Sequence, residues 1–456
     1  MIDIENVNFS YPGEGETLKN INLNIKRGEC VVLCGKSGCG KTTVTKLING
    51  LIPHFYEDYT LSGNVTISGK KVAEIEMYKL AKSVGSVFQN PKSQFFHLNS
   101  DAELAFGLEN CGIPQKEMHD RIANTISQLN IEKLTNRNIF EMSGGEKQNL
   151  AFACVYTMNP DIYVLDEPTA NLDEATIELL REQIKRVKSE GKTIIIAEHR
   201  LWFLADVIDR AVYMENGKII NIYSRNEFLA LTDEQRIKMG LRRLTQMKIP
   251  LTNTNNDGCF SVNNLCYKIK GKTIFDNISF GVSDGEILGI IGSNGAGKSM
   301  LLRCIAGIIE PTSGKIKLDN KVLKKKMRNK LCYMIMQDVN HQLFSDSVYG
   351  ECEIANDNIQ SKLINDTLQE FDLTEFEESH PMALSGGQKQ RLAIATGVLC
   401  SKKIILFDEP TSGLDFEHMC SVGKMLRRLA QKGHIIIVVT HDNELLECCA
   451  DKILRL

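Results

Sequence analysis

Two octapeptides in this chain have the residue types needed to hold a phosphate. Residues 35–42 read GKSGCGKT and residues 292–299 read GSNGAGKS, and both fit G-x-x-x-x-G-K-[ST]. Each follows a short apolar run and opens a helix-like pattern, the context that makes the motif meaningful. Gly35, Gly38 and Gly40, and likewise Gly292, Gly295 and Gly297, let backbone N–H groups turn inward around phosphate oxygens. Lys36, Ser37 and Cys39 complete the first loop, and Ser293, Asn294 and Ala296 the second. Lys41 and Lys298 are placed to reach the outer phosphates. The hydroxyls of Thr42 and Ser299 are oxygen donors for Mg²⁺, and Thr43 extends the first helix start.

Carboxylates and histidines follow in register. Asp166 ends the apolar run IYVLD and Asp408 ends IILFD, positions suited to holding Mg²⁺ through water. Glu167 and Glu409 come one residue later, where a carboxylate can orient an attacking water. His199 and His441 each end the next apolar run, where an imidazole can hydrogen-bond to a terminal phosphate or position water.

The elements that must position these groups also occur twice. The phosphate loop, SGGE or SGGQ, DEPT and the histidine-ended run keep the same order in both halves. A period this long marks a duplicated domain rather than a solenoid. Runs such as CVVLCG, IYVLD and TIIIA are short and apolar throughout, which predicts parallel strands buried on both faces. IDIENVNFSY and LKNINLNI alternate with period two and predict an antiparallel flank. The expected fold class is α/β, with two tandem P-loop domains, each a mostly parallel central sheet with an antiparallel β flank. The boundaries read as domain one at 1–224, a helical and polar linker at 225–257, and domain two at 258–456.

Composition narrows the classes. The 456 residues are 43% hydrophobic and 24% charged with net charge −3, so the chain is not a generally basic nucleic-acid binder. The fourteen cysteines are scattered without a C-x-x-C pair, and they read as reduced thiols. The N-terminus shows no basic-then-apolar leader, and the longest apolar runs, such as IIIVV, are strand-sized. Work at a membrane would need a partner that lies in it. The basic run KVLKKKMRNK at 321–330 reads as a solvated face.

SGGEKQ at 143–148 and SGGQKQ at 385–390, each shortly before DEPT, resemble the signature motif of ATP-binding cassette (ABC) ATPases. The resemblance covers nearly the whole chain. It implies ATP and Mg²⁺ as ligands, a helical subdomain in each half, and an intrachain pseudo-dimer of the two domains. In that family each nucleotide lies between one domain's P-loop and the other's signature. The implied first site pairs residues 35–42, Asp166, Glu167 and His199 with Ser385, Gly386, Gly387 and Gln388. The second pairs residues 292–299, Asp408, Glu409 and His441 with Ser143, Gly144, Gly145 and Glu146. Tyr11 and Tyr267 match the aromatic that stacks on adenine, and Asp173 and Asp415 match the loop that crosses the interface. Gln89 and Gln337 match the glutamine between the Mg²⁺ site and the surface where a membrane subunit docks. The first signature departs from the pattern at Glu146, whose charge would approach a triphosphate and slow the second site. Both sites keep Lys, Asp, Glu and His, so two competent sites are expected.

The glutamine segments extend the resemblance. SVFQNPKSQFFHL at 86–98 and MIMQDVNHQLFSD at 334–346 set Gln94, Phe95 and Phe96 against Gln342, Leu343 and Phe344. Together with NGLIPHFYED and AEHRL they resemble the fused ATPases of energy-coupling factor (ECF) importers. In those, a groove behind the glutamine loop receives a helix of a transmembrane T component, and a separate S component binds the substrate. The implied role is a motor subunit at the cytoplasmic face of the membrane, importing a vitamin, a vitamin precursor or a metal ion, with no nucleic-acid partner. The alternative is a soluble ABC-F-like ATPase acting on the ribosome. The short linker and the repeated Gln-Phe pattern argue against it. A DNA-repair ATPase would carry zinc-binding cysteine pairs, which are missing, and a duplicated sugar-importer ATPase would usually have one degenerate site.

Overall fold

Alternating burial along IDIENVNFS and LKNINLNI makes two strands that hide one face each, and the apolar run that follows them is buried along its whole length. In a computed structural model, residues 1–13, 15–170, 172–252, 257–356 and 359–456 are described. They fall into two compact units, residues 1–246 with 415–417, and residues 247–414 with 418–456.

Unit 1 begins with β1 (Ile2–Ser10), β2 (Leu18–Ile25) and β3 (Cys30–Gly35). β4 (Thr60–Ile67) and β5 (Lys70–Lys71) complete an antiparallel flank ordered β2-β1-β4-β5. β6 (Val84–Val87), β7 (Ile162–Asp166), β8 (Thr193–Ala197), β9 (Arg210–Glu215) and β10 (Lys218–Ser224) join β3 in the central sheet, ordered β10-β9-β3-β8-β7-β6. Every pair in it is parallel except β9 with β10. Successive residues of β3 enter opposite cores: Cys30, Val32 and Cys34 on one face, Val31 and Leu33 on the other. That two-sided burial is why the run shows no alternation. It also pushes the Cys30 and Cys34 thiols up to about 12, which leaves them unreactive.

Unit 2 repeats the plan. β11 (Phe260–Ile269), β12 (Lys272–Val282), β14 (Ser313–Leu318) and β15 (Lys321–Val322) make the flank, ordered β12-β11-β14-β15. β13 (Ile287–Ile291), β16 (Cys332–Ile335), β17 (Ile404–Asp408), β18 (Ile435–Val439) and β19 (Lys452–Arg455) make an all-parallel sheet ordered β16-β17-β18-β13-β19. Each unit also carries a helical portion between its glutamine loop and the sheet strand after it. In unit 1 this comprises Ser100–Asn110, Gln115–Leu129 and Gly144–Met158; in unit 2, Val348–Glu353, Ser361–Glu370 and Gly386–Leu399.

Two details differ from the sequence reading. The segment expected to begin a linker at 225 is packed into unit 1. Phe228, Leu241 and Leu244 lie in its core, and Tyr213 Oη donates to Met239 O at 3.2 Å. The unit boundary therefore falls after residue 246, because three apolar side chains are better buried than left in a tether. Of the polar linker stretch, residues 253–256 lie outside the described residues. The basic run at 321–330 is solvated except at Leu323, which is buried, and at Arg328, which is buried and bonds to Cys304 O and the Glu310 carboxylate. Arg328 is thus an anchor beneath an otherwise solvated face.

Candidate functional site

β3 delivers residue 35 to the end of the central sheet, and the helix Lys41–Ile48 starts there. Gly40 is the N-cap, with φ +101, and Gly297 caps Lys298–Ala306 with φ +91. A side chain at either position would strain the backbone and press on a flank residue, Leu18 or Ile274. Lys41 Nζ donates to Gly35 O at 3.1 Å and Lys36 O at 3.0 Å. Lys298 does the same to Gly292 O at 2.8 Å and Ser293 O at 3.0 Å. Each ammonium thus holds its own loop in a ring, with its charge at the helix N-terminus, where anions are favoured.

The hydroxyl and carboxylate expected to face a metal do meet. Thr42 Oγ1 donates to Asp166 Oδ1 at 3.0 Å, and Ser299 bonds to Asp408. A serine or threonine hydroxyl beside a carboxylate is a hard-oxygen pair whose chemistry fits Mg²⁺. Burial, and then the neighbouring Glu167 charge, raise the Asp166 carboxyl to about 6, and burial raises Asp408 as well. A divalent cation would relieve both carboxylates.

Glu167 and Glu409 are held in the left-handed region, at φ 44 and 52. Such a conformation costs a non-glycine residue on the order of 1 kcal/mol and persists only where neighbours fix it. Here Glu167 N donates to Ala197 O and Glu409 N to Val439 O, both at 2.8 Å. The turn aims each side chain at the histidine and, in unit 1, at the glutamine. Glu167 Oε2 accepts from Gln89 Nε2 at 2.6 Å, and Glu167 Oε1 lies 3.4 Å from His199 Nε2. In unit 2, His441 Nε2 lies 3.3 Å from Glu409 Oε1, 3.0 Å from Lys298 Nζ and 3.1 Å from Asn294 Oδ1. Burial pushes the pKa of His199 down, which favours the neutral ring.

The two signatures are capping boxes. Ser143 and Ser385 cap Gly144–Met158 and Gly386–Leu399, and Gly144, Gly145, Gly386 and Gly387 form the first turns. Gln388 Oε1 accepts from Ser385 N at 2.8 Å, and Glu146 Oε2 accepts from Ser143 N at the same distance. Glu146 also pairs with Arg137. Against the effect of partial burial, Ser143 and Arg137 hold its carboxyl below the usual range. Its charge is therefore compensated within unit 1, and Glu146 replaces the glutamine as a cap. Glu146→Gln should leave steady-state ATPase within about twofold of wild type. Arg137→Ala, which bares the carboxylate at a helix N-terminus, should lower it more.

Tyr11 lies beside the first P-loop helix, with its hydroxyl 3.4 Å from Thr43 Oγ1. Lys46 Nζ sits 5.6 Å from its ring centre and 5.0 Å from that of Tyr56. Tyr267 packs beside Phe275, with ring centres 6.0 Å apart. Asp173 caps the helix Glu174–Ser189, accepting from Thr176 N at 2.8 Å. Lys46 and Tyr56 were not legible as site neighbours, because neither belongs to a phosphate-site motif and only the fold brings them to Tyr11.

Sequence reasoning also missed Glu198. This buried carboxylate accepts from His199 N at 2.9 Å, Arg200 N at 3.0 Å and Thr169 N at 3.3 Å. Burial raises it to about 7. A carboxyl raised on folding adds stability below the unfolded glutamate range and loses it as pH rises through about 7. The melting temperature of Glu198→Gln relative to wild type should accordingly be more favourable at pH 8 than at pH 5.

A phosphate-binding loop at the end of a central parallel strand, with a carboxylate ending the next strand but one in the same sheet, defines a P-loop nucleotide-binding protein, here in two copies. A profile of the family described as ABC transporter matches residues 18–170 and 275–412. The chain belongs to that family, and it is an ATPase. It is 46% identical over 466 residues to a Treponema denticola protein named "Putative ABC transporter ATP-binding protein", covering all of this chain and 95% of that one. It is 32% identical over 493 residues to the Bacillus subtilis "Putative HMP/thiamine import ATP-binding protein YkoD", covering all of this chain and 90% of that one. Among solved structures, one titled "RNase-L Inhibitor" superposes with a TM-score of 0.64 at 21% identity, over 99% of this chain and 88% of that one. That likeness is one of tandem fold.

Proposed function

We propose that this chain is the ATP-hydrolysing subunit of an ECF-type importer. It would energise a separate transmembrane T component and a substrate-binding S component for a vitamin, a vitamin precursor or a metal ion. The observation that carries this reading is a pair of exposed phenylalanines at equivalent places. Phe96 is 74% exposed and Phe344 81%, each seven residues beyond the glutamine that follows β6 or β16. In each pair the preceding residue turns inward: Phe95 packs on the core and Leu343 is buried. Behind Phe95 lies a cavity of about 270 Å³, lined by Phe88, Gln94, Phe106 and Met158 among others. An apolar knob beside an apolar cavity suits an amphipathic helix of a partner. Among the described residues no helix is long and apolar enough to cross a membrane. The name of the Bacillus subtilis relative supports an importer of a vitamin precursor.

In this reading Lys41 and Lys298 bind the outer phosphates, and Thr42, Asp166, Ser299 and Asp408 would hold Mg²⁺, with Gln89 and Gln337 beside it. The ion supplies charge neutralisation of the phosphates. Glu167 and Glu409 orient water, and His199 and His441 hold the glutamates in place. ATP favours one conformational state over another, and that difference is what can be passed to a partner.

The test is affinity capture of the tagged chain from detergent-solubilised native membranes, followed by mass spectrometry. Recovery of a polytopic membrane protein with a small, very apolar one supports the importer. Recovery of ribosomes without any enriched membrane protein would move the function to translation.

A further inference from the structure

We propose that Gln94 and Gln342 are positioning residues for hydrolysis, each closing the loop that carries the catalytic-side glutamine. The inference rests on the reading of Glu167 as the group that orients water. In unit 1, Gln94 uses both ends of its amide on backbone. Its Oε1 accepts from Phe88 N at 2.9 Å and its Nε2 donates to Ser86 O at 2.9 Å. In unit 2, Gln342 does the same to Met336 N at 2.7 Å and Met334 O at 2.6 Å. The side chain thus continues the ladder of the edge strand, β6 or β16, and ties residue 94 or 342 back to the strand end. Gln89, which donates to Glu167 at 2.6 Å, lies on the loop so closed.

A second fastening follows at once. Glu103 is buried, and its Oε2 accepts from Phe96 N at 3.0 Å and His97 N at 2.7 Å. Glu351, also buried, accepts from Phe344 N and Ser345 N, both at 2.8 Å. Glu103 sits on the helix Ser100–Asn110 and Glu351 on Val348–Glu353. The loop is therefore pinned to the sheet by a glutamine and to the helical portion by a glutamate, with an exposed phenylalanine at the second pin. Twice in one chain, the same four hydrogen bonds are made by the same residue types. A side chain retained only to fill space would not need to satisfy one donor and one acceptor in each copy. The arrangement links the surface at Phe96 to Gln89 through seven residues of fixed backbone. Displacement of the phenylalanine by a partner then moves Gln89 relative to Glu167.

The test uses the full chain. Gln94→Met with Gln342→Met keeps side-chain volume and removes all four amide hydrogen bonds. Steady-state kcat and KM are measured beside the equilibrium Kd for MgATP, with Gln94→Ala plus Gln342→Ala as a second double variant. The expected result is a kcat lower by about tenfold in both double variants, with Kd unchanged within about twofold, since a small misplacement of a catalytic neighbour costs turnover rather than binding. Wild-type kcat in the methionine variant would overturn the proposal, leaving only packing. Equal losses in kcat and MgATP affinity would overturn it too, as general distortion. Glu167→Gln is measured in parallel. If it is impaired while the methionine variant is not, the positioning inference alone fails. If it turns over normally while the methionine variant is slow, the role of Glu167 fails and the positioning effect stands.

Discussion

The double substitution Glu167→Gln with Glu409→Gln should reduce ATP turnover by about 100-fold or more while leaving MgATP binding within about twofold. Both glutamates are held at positive φ by a hydrogen bond to the next strand, so the replacement glutamines keep the backbone, the shape and a hydrogen-bonding end. What is lost is the negative charge that can accept a proton from water. The geometry also says what the singles should do. If the two sites turn over independently, each single variant retains roughly half of the rate. If they act as a unit, each single variant falls nearly as far as the double. Phosphate release at saturating MgATP, with filter binding of labelled nucleotide, separates these outcomes. Wild-type turnover in the double variant would remove water positioning from both residues.

Lys41→Ala and Lys298→Ala carry the second large effect. Each ammonium donates to two carbonyls of its own loop, so it shapes the loop as well as supplying charge. Removing it takes away a charge-assisted contact to phosphate, about 1.5–3 kcal/mol, and loosens a ring of backbone N–H groups. MgATP affinity at the altered site should fall at least about tenfold, read by titration calorimetry with the opposite site as the internal standard. A unit that still binds with wild-type affinity would show that the N–H groups and the helix start suffice. The contrast with the glutamate variants is diagnostic: the lysine changes affinity, and the glutamate changes turnover at constant affinity.

Most of the candidate site was legible because the chemistry it offers is local and doubled. The phosphate loop needs glycines at fixed spacing within eight residues. The acidic pair and the histidine each sit at the end of a run whose apolar composition gives it away, and the signature serine opens a short SGG motif present in both halves. Repetition did the rest, since a motif present twice in one order can be told from chance. The same holds for the fold: CVVLCG and IIIVV are apolar on every residue because β3 and β18 are buried on both faces, and that pattern survives in one dimension. Where the reading fell short, the cause was distance along the chain. The capture of Phe228, Leu241 and Leu244 by the core of unit 1 depends on a surface assembled from other strands and helices, so a composition boundary at 224 stopped too early. Glu146 reads as a charge aimed at phosphate until Arg137, nine residues earlier and across a turn, is seen to hold it.

The sequence by itself determined the duplication, the two phosphate loops, the carboxylates and histidines beside them, and a doubly buried sheet, because all of these follow from residue type at short range. Only the tertiary structure decided what Gln94, Glu103 and Glu198 do. Each is a polar side chain whose partners are backbone groups, and backbone groups leave no mark in a sequence. A buried amide or carboxylate must be satisfied, and which N–H or C=O satisfies it is fixed by the folded path of the chain alone.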